Sequence, residues 1–391
     1  MSRATTSDPR RTQTARTSSR RPAGPASPRR GTRGQRVVAA IVVIGLVAAI
    51  ALLASGVLGH GKSGSAGPGF PAPTAVPTAT SLVHPARSGR VTAWPLPEAL
   101  VGPRDVAVTS DGRVWITEQN RGRVDTLKDG TLTRYATDVF PYVGAYAFGA
   151  GPGGAMWFTG FPGGSVARIL PDGTANGFAP FSDSSATLAV AEGPGDAMWI
   201  TDSQRGVIIR IGPDSAVSQF IVPAPAGSAS TTTQPRDIVR GADGTMWFTD
   251  PTTGSVGSVG TGDQVSIAEH PMWRGAQPRS IALAPDGSLW VTMTDRQALA
   301  RIDPASGTAT VVRLPGADAT LNDLLVSPDG TIWVSEDGAY LLHVRTDGSL
   351  IERVKLPKGA VYADGIAQAA DGTIWAAVTD ANLIVSVAPR G

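Results

Sequence analysis

The feature that most limits what this chain can fold into is a ten-residue phrase that keeps returning. "TSDGRVWITE", "GADGTMWFTD", "APDGSLWVTM", "SPDGTIWVSE" and "AADGTIWAAV" are variants of one another, and each is built around a tryptophan. The seven repeat tryptophans are Trp115, Trp157, Trp199, Trp247, Trp290, Trp333 and Trp375, spaced by 42, 42, 48, 43, 43 and 42 residues. A period near 42 is the length of one propeller blade, a unit that cannot bury its own faces and so needs neighbours on both sides.

The strand signals inside a unit agree with that reading. In the first unit "RDVAVT" meets a turn at Asp111-Gly112, then "RVWITE", then "GRVDTL", a second Asp-Gly turn, and "TLTRYAT". Short apolar runs joined by Asp-Gly are the mark of hairpins. The Trp strand is apolar on both faces, as in Ile332-Trp333-Val334, which fits a sheet covered on both sides. The expected fold is therefore all-β: a seven-bladed β-propeller of four-stranded blades over residues 90–391. The seventh unit stops after its third strand, and the missing fourth is expected from "RVTAWPLP" at 90–97, so that the N-terminal strand completes the last blade and leaves no open edge.

The N-terminal part reads differently. Residues 1–36 hold ten Arg and one acid, Asp8, with almost no large apolar residue. Such a composition cannot offset chain entropy by burial, and it reads as a disordered cytoplasmic tail. Residues 37–58 are 22 uncharged, mostly apolar residues, enough for one transmembrane helix. The preceding Arg cluster orients it with the N-terminus in the cytoplasm and the remainder outside the cell; a cleaved signal peptide is the other reading. Residues 59–89 are a Gly/Pro/Ser/Thr linker. "GVLGHGKS" at 56–63 fits a P-loop pattern, but it joins this apolar run to the linker instead of a strand to a helix.

Charge narrows the partners. Against the Arg-rich tail, residues 90–391 carry 22 Lys/Arg and 31 Asp/Glu, a poor surface for nucleic acid. The chain has no Cys, which excludes disulfides, thiolate metal sites and a Cys nucleophile. It also carries no HExxH, no Ser-His-Asp set and no dinucleotide fingerprint.

The repeat places a site. An inner strand starts eleven residues before each Trp, the Trp strand ends three residues after it, and the Asp-Gly hairpin sets these two ends at one rim. The starts are Arg104, Tyr146, Leu188, Arg236, Arg279, Asn322 and Asp364; the ends are Glu118, Gly160, Asp202, Asp250, Met293, Glu336 and Val378; Asp105, Asp237 and Asp323 lie one residue further in. Residues this charged and this varied from unit to unit suit the mouth of a channel. The candidate ligand-binding residues are Arg104, Glu118, Asp202, Arg236, Asp250, Arg279, Glu336 and Asp364. Mutual pairing of these charges around a wet axis is one alternative. A divalent ion held by three or more of the acids is another, and oxygen ligands would then suit Mg²⁺ or Ca²⁺.

The pattern P-x-x-I-x-x-x-x-D-G-x-x-W-F-T-E followed by I-x-R-I resembles the streptogramin B lyase (virginiamycin B lyase) family and, more loosely, NHL-type propellers. It is carried by "PRDIVRGADGTMWFTD" (235–250), "PRSIALAPDGSLWVT" (278–292), "SVARI" (165–169) and "VIIRI" (207–211). The resemblance implies a carbon-oxygen lyase that opens the ester of a cyclic depsipeptide with Mg²⁺ and a His base after the Pro of an inner strand. Here the post-Pro positions are Arg104, Arg236 and Arg279, while Glu118 and Glu336, with Asp202 and Asp250 as shorter versions, stand where the family has strand-ending Glu. The four His residues are His60, His84, His270 and His343, none at a post-Pro inner-strand position. Arginine is a poor base and a good anion clamp. The expectation is thus a monomeric, membrane-anchored, extracytoplasmic propeller that binds a small molecule, a peptide or a cell-envelope protein. The alternative is an Mg-dependent lyase or hydrolase of a lactone that uses a base other than the family His.

Overall fold

The computed structural model describes residues 72–390 apart from 73, 77, 100, 136–143, 179–184, 229, 261–265 and 316–318. The expected tail, the apolar run 37–58 and the first half of the linker lie outside the described residues. No helix among the described residues is long and apolar enough to cross a membrane.

The described strands form seven antiparallel sheets, the blades of an all-β seven-bladed propeller. In blade 1 the inner strand Pro103–Val108 is followed by the Trp strand Val114–Glu118, a third strand Arg123–Lys128 and an outer strand Thr131–Tyr135. Blades 2 to 6 repeat this order. Blade 7 has Ala363–Gln368, Ile374–Val378 and Leu383–Val387 from the C-terminal end of the chain, and its fourth strand is Val91–Pro95. The ladder runs from Leu383 against Pro95 to Val387 against Val91, and the Trp94 indole N–H donates to Ser386 Oγ at 3.0 Å. The Asp-Gly turns put glycine where φ is positive, as at Gly112 and Gly330 (78° and 83°), a region that side chains rarely occupy.

Apolar packing follows the tryptophans. There are seven core clusters among the described residues, and each lies between two blades. Trp199 of blade 3 packs with Ile238, Met246 and Phe248 of blade 4. Trp290 of blade 5 packs with Ile332, Val334 and Leu342 of blade 6. Trp375 of blade 7 packs on the cluster of Val106, Ile116 and Leu127 in blade 1. Each indole thus fills the gap to the next blade, which is why the Trp strand is apolar on both faces.

The second bond between blades is polar and equally regular. In six blades a hydroxyl stands two residues after the Trp and is fully buried: Thr117, Thr159, Thr201, Thr249, Thr292 and Ser335. Each accepts an N–H from its own inner strand, from Asp105, Ala147, Ala189, Asp237, Ser280 and Asp323, at 2.8 to 3.2 Å. Each donates to a carbonyl on the next blade's inner strand, on Tyr146, Leu188, Arg236, Arg279, Asn322 and Asp364, at 2.7 to 3.3 Å. In blade 7 that position is Ala377, and Thr379 donates to Pro103 O of blade 1 at 2.7 Å instead.

The C-terminal half of the expected linker departs from free chain. Thr74–Ala75 pairs with the outer strand of blade 2, Thr78–Leu82 with that of blade 1, and Ala86–Ser88 with Val91–Pro95 of blade 7. A blade's outer edge offers unpaired N–H and C=O groups, and β-branched Thr74, Thr78 and Thr80 suit an added strand.

Removing one hydroxyl without changing its shape tests the polar seam. Thr201→Val leaves the Ala189 N–H and the Arg236 carbonyl without that partner and is expected to lower unfolding free energy by about 1–3 kcal/mol in a denaturant titration. Thr201→Ser, the residue blade 6 already uses, is expected to retain most of the stability.

Candidate functional site

The inner strands carry a bulge near their start. In blade 1 the ladder steps from Pro103 opposite Glu118 to Val106 opposite Ile116, and the same shift recurs in blades 3, 5, 6 and 7. Two residues per bulge then face the axis, and they line a funnel of about 110 Å³. The outer tier is Arg104, Tyr146, Leu188, Arg236, Arg279, Asn322 and Asp364; the inner tier is Asp105, Ala147, Ala189, Asp237, Ser280, Asp323 and Gly365. One residue of each tier comes from each blade.

Four of the eight expected residues, Arg104, Arg236, Arg279 and Asp364, are brought together in the outer tier. The other four are not. Glu118, Asp202, Asp250 and Glu336 are fully buried, and their carboxylates turn away from the axis into the blade. Asp202 accepts the N–H of Ala186 and of Arg205. Asp250 accepts from Gln234, Thr252 and Thr253. Glu336 accepts from Ala319 N and from Arg353, and Glu118 pairs with Arg123. For Glu118, Asp202 and Glu336 the bulge sets the last residue of the Trp strand opposite the residue before the inner-strand start, so the side chain projects to the loop behind it. Asp202, Asp250 and Glu336 cap backbone N–H groups, while Glu118 and Glu336 pair with Arg123 of the third strand and Arg353 of the outer strand of their own blades. Among the described residues no group of three or more Asp, Glu or His is arranged to hold a metal ion, and the four strand-end acids, which the family resemblance would place beside Mg²⁺, spend their carboxylates on protein N–H groups and arginines away from the axis.

The outer tier has internal order. Arg104 donates to Asp364 Oδ1 at 2.7 Å and to the Tyr146 hydroxyl at 3.0 Å, and its guanidinium lies 4.8 Å from the centre of the Tyr146 ring. Asn322 donates to Asp337 and to the Ala363 carbonyl. Arg279 reaches Asp364 only at 3.9 Å. Burial, then repulsion by Arg236 and Arg104, pushes Arg279 down to about 10. Burial opposes ionisation of Tyr146, yet Arg104, Arg236 and Arg279 together outweigh it and hold the phenol below its ordinary value.

The inner tier alternates acids with small residues. Asp105 accepts the N–H of Val106 and of Phe148 on the next blade; Asp323 does the same with Leu324 and Ile366. Asp237 accepts from Ile238 and Ile281, and Ser280 Oγ lies 2.9 Å from Asp237 and 2.6 Å from Asp323. A Cβ on Gly365 would lie 2.1 Å from Asp105 Oδ1, so no side chain fits there. Burial, then the charge of Asp323, pushes Asp105 up to about 7 and Asp237 up to about 6. Sequence reasoning missed Ser280, which joins two acids, and the hydroxyl two places after each Trp; the second was visible as a Thr or Ser in six of seven repeats.

A family model, Virginiamycin B lyase family, matches residues 89–272 and 143–391. The chain belongs to the virginiamycin B lyase family. Among solved structures, a catalytically inactive virginiamycin B lyase from Staphylococcus aureus with quinupristin is similar at 22% identity and a TM-score of 0.69, covering 77% of this chain and 99% of that one. A streptogramin B lyase structure is similar at 22% identity and a TM-score of 0.68, covering 76% and 96%. The WD40 propeller domain of Doa1 follows at 14% identity and 0.58, covering 80% and 97%. At these identities the likeness is one of fold. No curated protein matches the chain.

For this member of the virginiamycin B lyase family the inner acids give stability a pH sign. Below the usual carboxylate range folded and unfolded chains both hold their protons. As pH rises, the unfolded chain releases protons that folded Asp105 and Asp237 still keep, which favours unfolding until their folded values are passed. Melting temperature is expected to fall between about pH 4 and about pH 7, and Asp105→Asn is expected to flatten that fall when both proteins are scanned by calorimetry across the interval.

Proposed function

We propose that this propeller binds a small molecule, or the end of a peptide or cell-envelope protein, in the axial funnel. One observation carries the reading. The seam that holds the ring is nearly the same in every blade, whereas the seven outer-tier side chains are Arg, Tyr, Leu, Arg, Arg, Asn and Asp. A purely structural rim has no use for that variety. The proposed setting is extracytoplasmic, with the run at 37–58 as a single membrane anchor and the ring completed by its N-terminal strand. The Arg cluster before the run supports this orientation.

Family membership favours a second reading, a lyase acting on a depsipeptide lactone such as quinupristin with a base other than His. Against it, the post-Pro positions hold Arg, and the funnel's volume is small beside the roughly 300–1,000 Å³ of pockets that enclose drug-sized ligands. The full chain in detergent, screened by thermal shift against neutral and charged small molecules and short peptides, is expected to give stabilising compounds whose effect disappears in Arg236→Ala. Incubation with quinupristin, with and without Mg²⁺, is expected to leave the lactone intact; ring opening above background would establish the lyase reading. In cells, the chain is expected in the alkali-washed membrane fraction, with its propeller open to protease added outside.

A further inference from the structure

We infer that the group recognised in the funnel is a single carboxylate, clamped between Arg236 and Arg279. This inference rests on the funnel being a ligand site and adds the chemistry of the ligand.

Elimination among the seven outer-tier residues leads there. Arg104 is bonded to both Asp364 and Tyr146, and the Thr379 hydroxyl lies against Asp364 as well as the Pro103 carbonyl. Asn322 spends its amide on Asp337 and the Ala363 carbonyl. Leu188 is apolar and buried. That leaves Arg279, whose nearest carboxylate is 3.9 Å away, and Arg236, whose side chain makes no hydrogen bond or ion pair among the described residues and is half-buried. Two guanidiniums therefore face one small cavity without a close anion, and they repel each other. A cation pair held in this way by the ring is relieved by an anion from outside, and the planar fork of arginine matches a carboxylate.

The charge behind the pair selects the kind of anion. Asp105, Asp237 and Asp323 occupy the tier below, with Asp364 alongside. Their bonds to backbone N–H groups and to Ser280 stabilise them in place, so they do not move up to neutralise the arginines; Asp323 feels Arg279 but remains in its own tier. With Asp105 and Asp237 pushed up to about 7 and about 6 by burial and by Asp323, these acids leave only a small surplus of positive charge at the arginines, which favours a monoanion over a phosphate dianion. The cavity, about 110 Å³, has room for a carboxylate and a few attached carbons.

Calorimetric titration of the full chain at pH 7 and low salt tests this with propionate, inorganic phosphate, N-acetyl-trialanine and the C-terminal amide of that peptide. Propionate and the peptide acid are expected to bind, the amide about tenfold more weakly or worse, and Arg236→Gln or Arg279→Gln to cost about tenfold each, while Arg345→Gln on the exposed face costs nothing. Arg236→Lys, which keeps the charge and loses the fork, guards against a folding artefact and is expected to fall between wild type and Arg236→Gln. Binding of propionate alone assigns a free small acid; binding of the peptide acid as well assigns a chain terminus. Equal binding of acid and amide, or phosphate binding more tightly than propionate, overturns the carboxylate assignment. If no anion binds but neutral compounds stabilise the protein in an Arg236-dependent way, the funnel remains a ligand site and the carboxylate is wrong. If no compound of either kind depends on Arg236, both readings fall.

Discussion

The buried hydroxyl two residues after the tryptophan in six of the seven blades is the contact on which the rest depends. It takes an N–H from its own inner strand and gives its proton to a carbonyl of the next blade. Both groups are deep in the ring, where an unmet backbone group costs more than the bond itself yields. The seam and the indole work at different distances from the axis. Tryptophan supplies area and fills the wider gap outside, while the hydroxyl supplies direction and fixes how far one inner strand slides against the next. Area alone would let neighbouring blades shift; a bond with one donor and one acceptor on different blades does not.

That bond also explains what was legible in the sequence. The number of blades, the four-stranded unit and the place of the Trp strand follow from spacing and from Asp-Gly turns, because these are set by local backbone and by gross burial. The position of the rim followed too, and it brought Arg104, Arg236, Arg279 and Asp364 together. Glu118, Asp202, Asp250 and Glu336 turn away from the axis, and for Glu118, Asp202 and Glu336 simple strand alternation gives no hint of the bulge that turns them. At the bulge the register steps by one residue, and in blades 1, 3 and 6 the terminal acid meets the loop behind it instead of the axis. The strands at 74–88 were hidden for another reason. Thr, Ala, Ser and Pro read as linker by composition, and only the exposed edges of blades 1, 2 and 7 make ladders of them.

The bulge further explains why two tiers exist. It turns two consecutive residues of the inner strand toward the axis where regular alternation would turn one. Fourteen residues then compete for a narrow bore, and the inner tier resolves the crowding by size: Asp105 sits between Gly365 and Ala147, and Asp323 between Ser280 and Gly365. The acids that remain find backbone donors on two blades each, so they serve the ring as well as the bore. Their raised protonation ranges are the consequence of enclosure, with mutual repulsion added.

Scaffold and site meet in the same residues, divided between main chain and side chain. The seam grips the carbonyl of Tyr146, Leu188, Arg236, Arg279, Asn322 and Asp364, and it asks nothing of what those residues carry on Cβ. A blade can therefore keep its tryptophan, its turn and its hydroxyl while the group presented at the axis changes from a leucine to an arginine. That freedom separates membership of the virginiamycin B lyase family from any one member's chemistry. The seam and the indole preserve the ring, and the side chains on the gripped residues decide what the ring can hold.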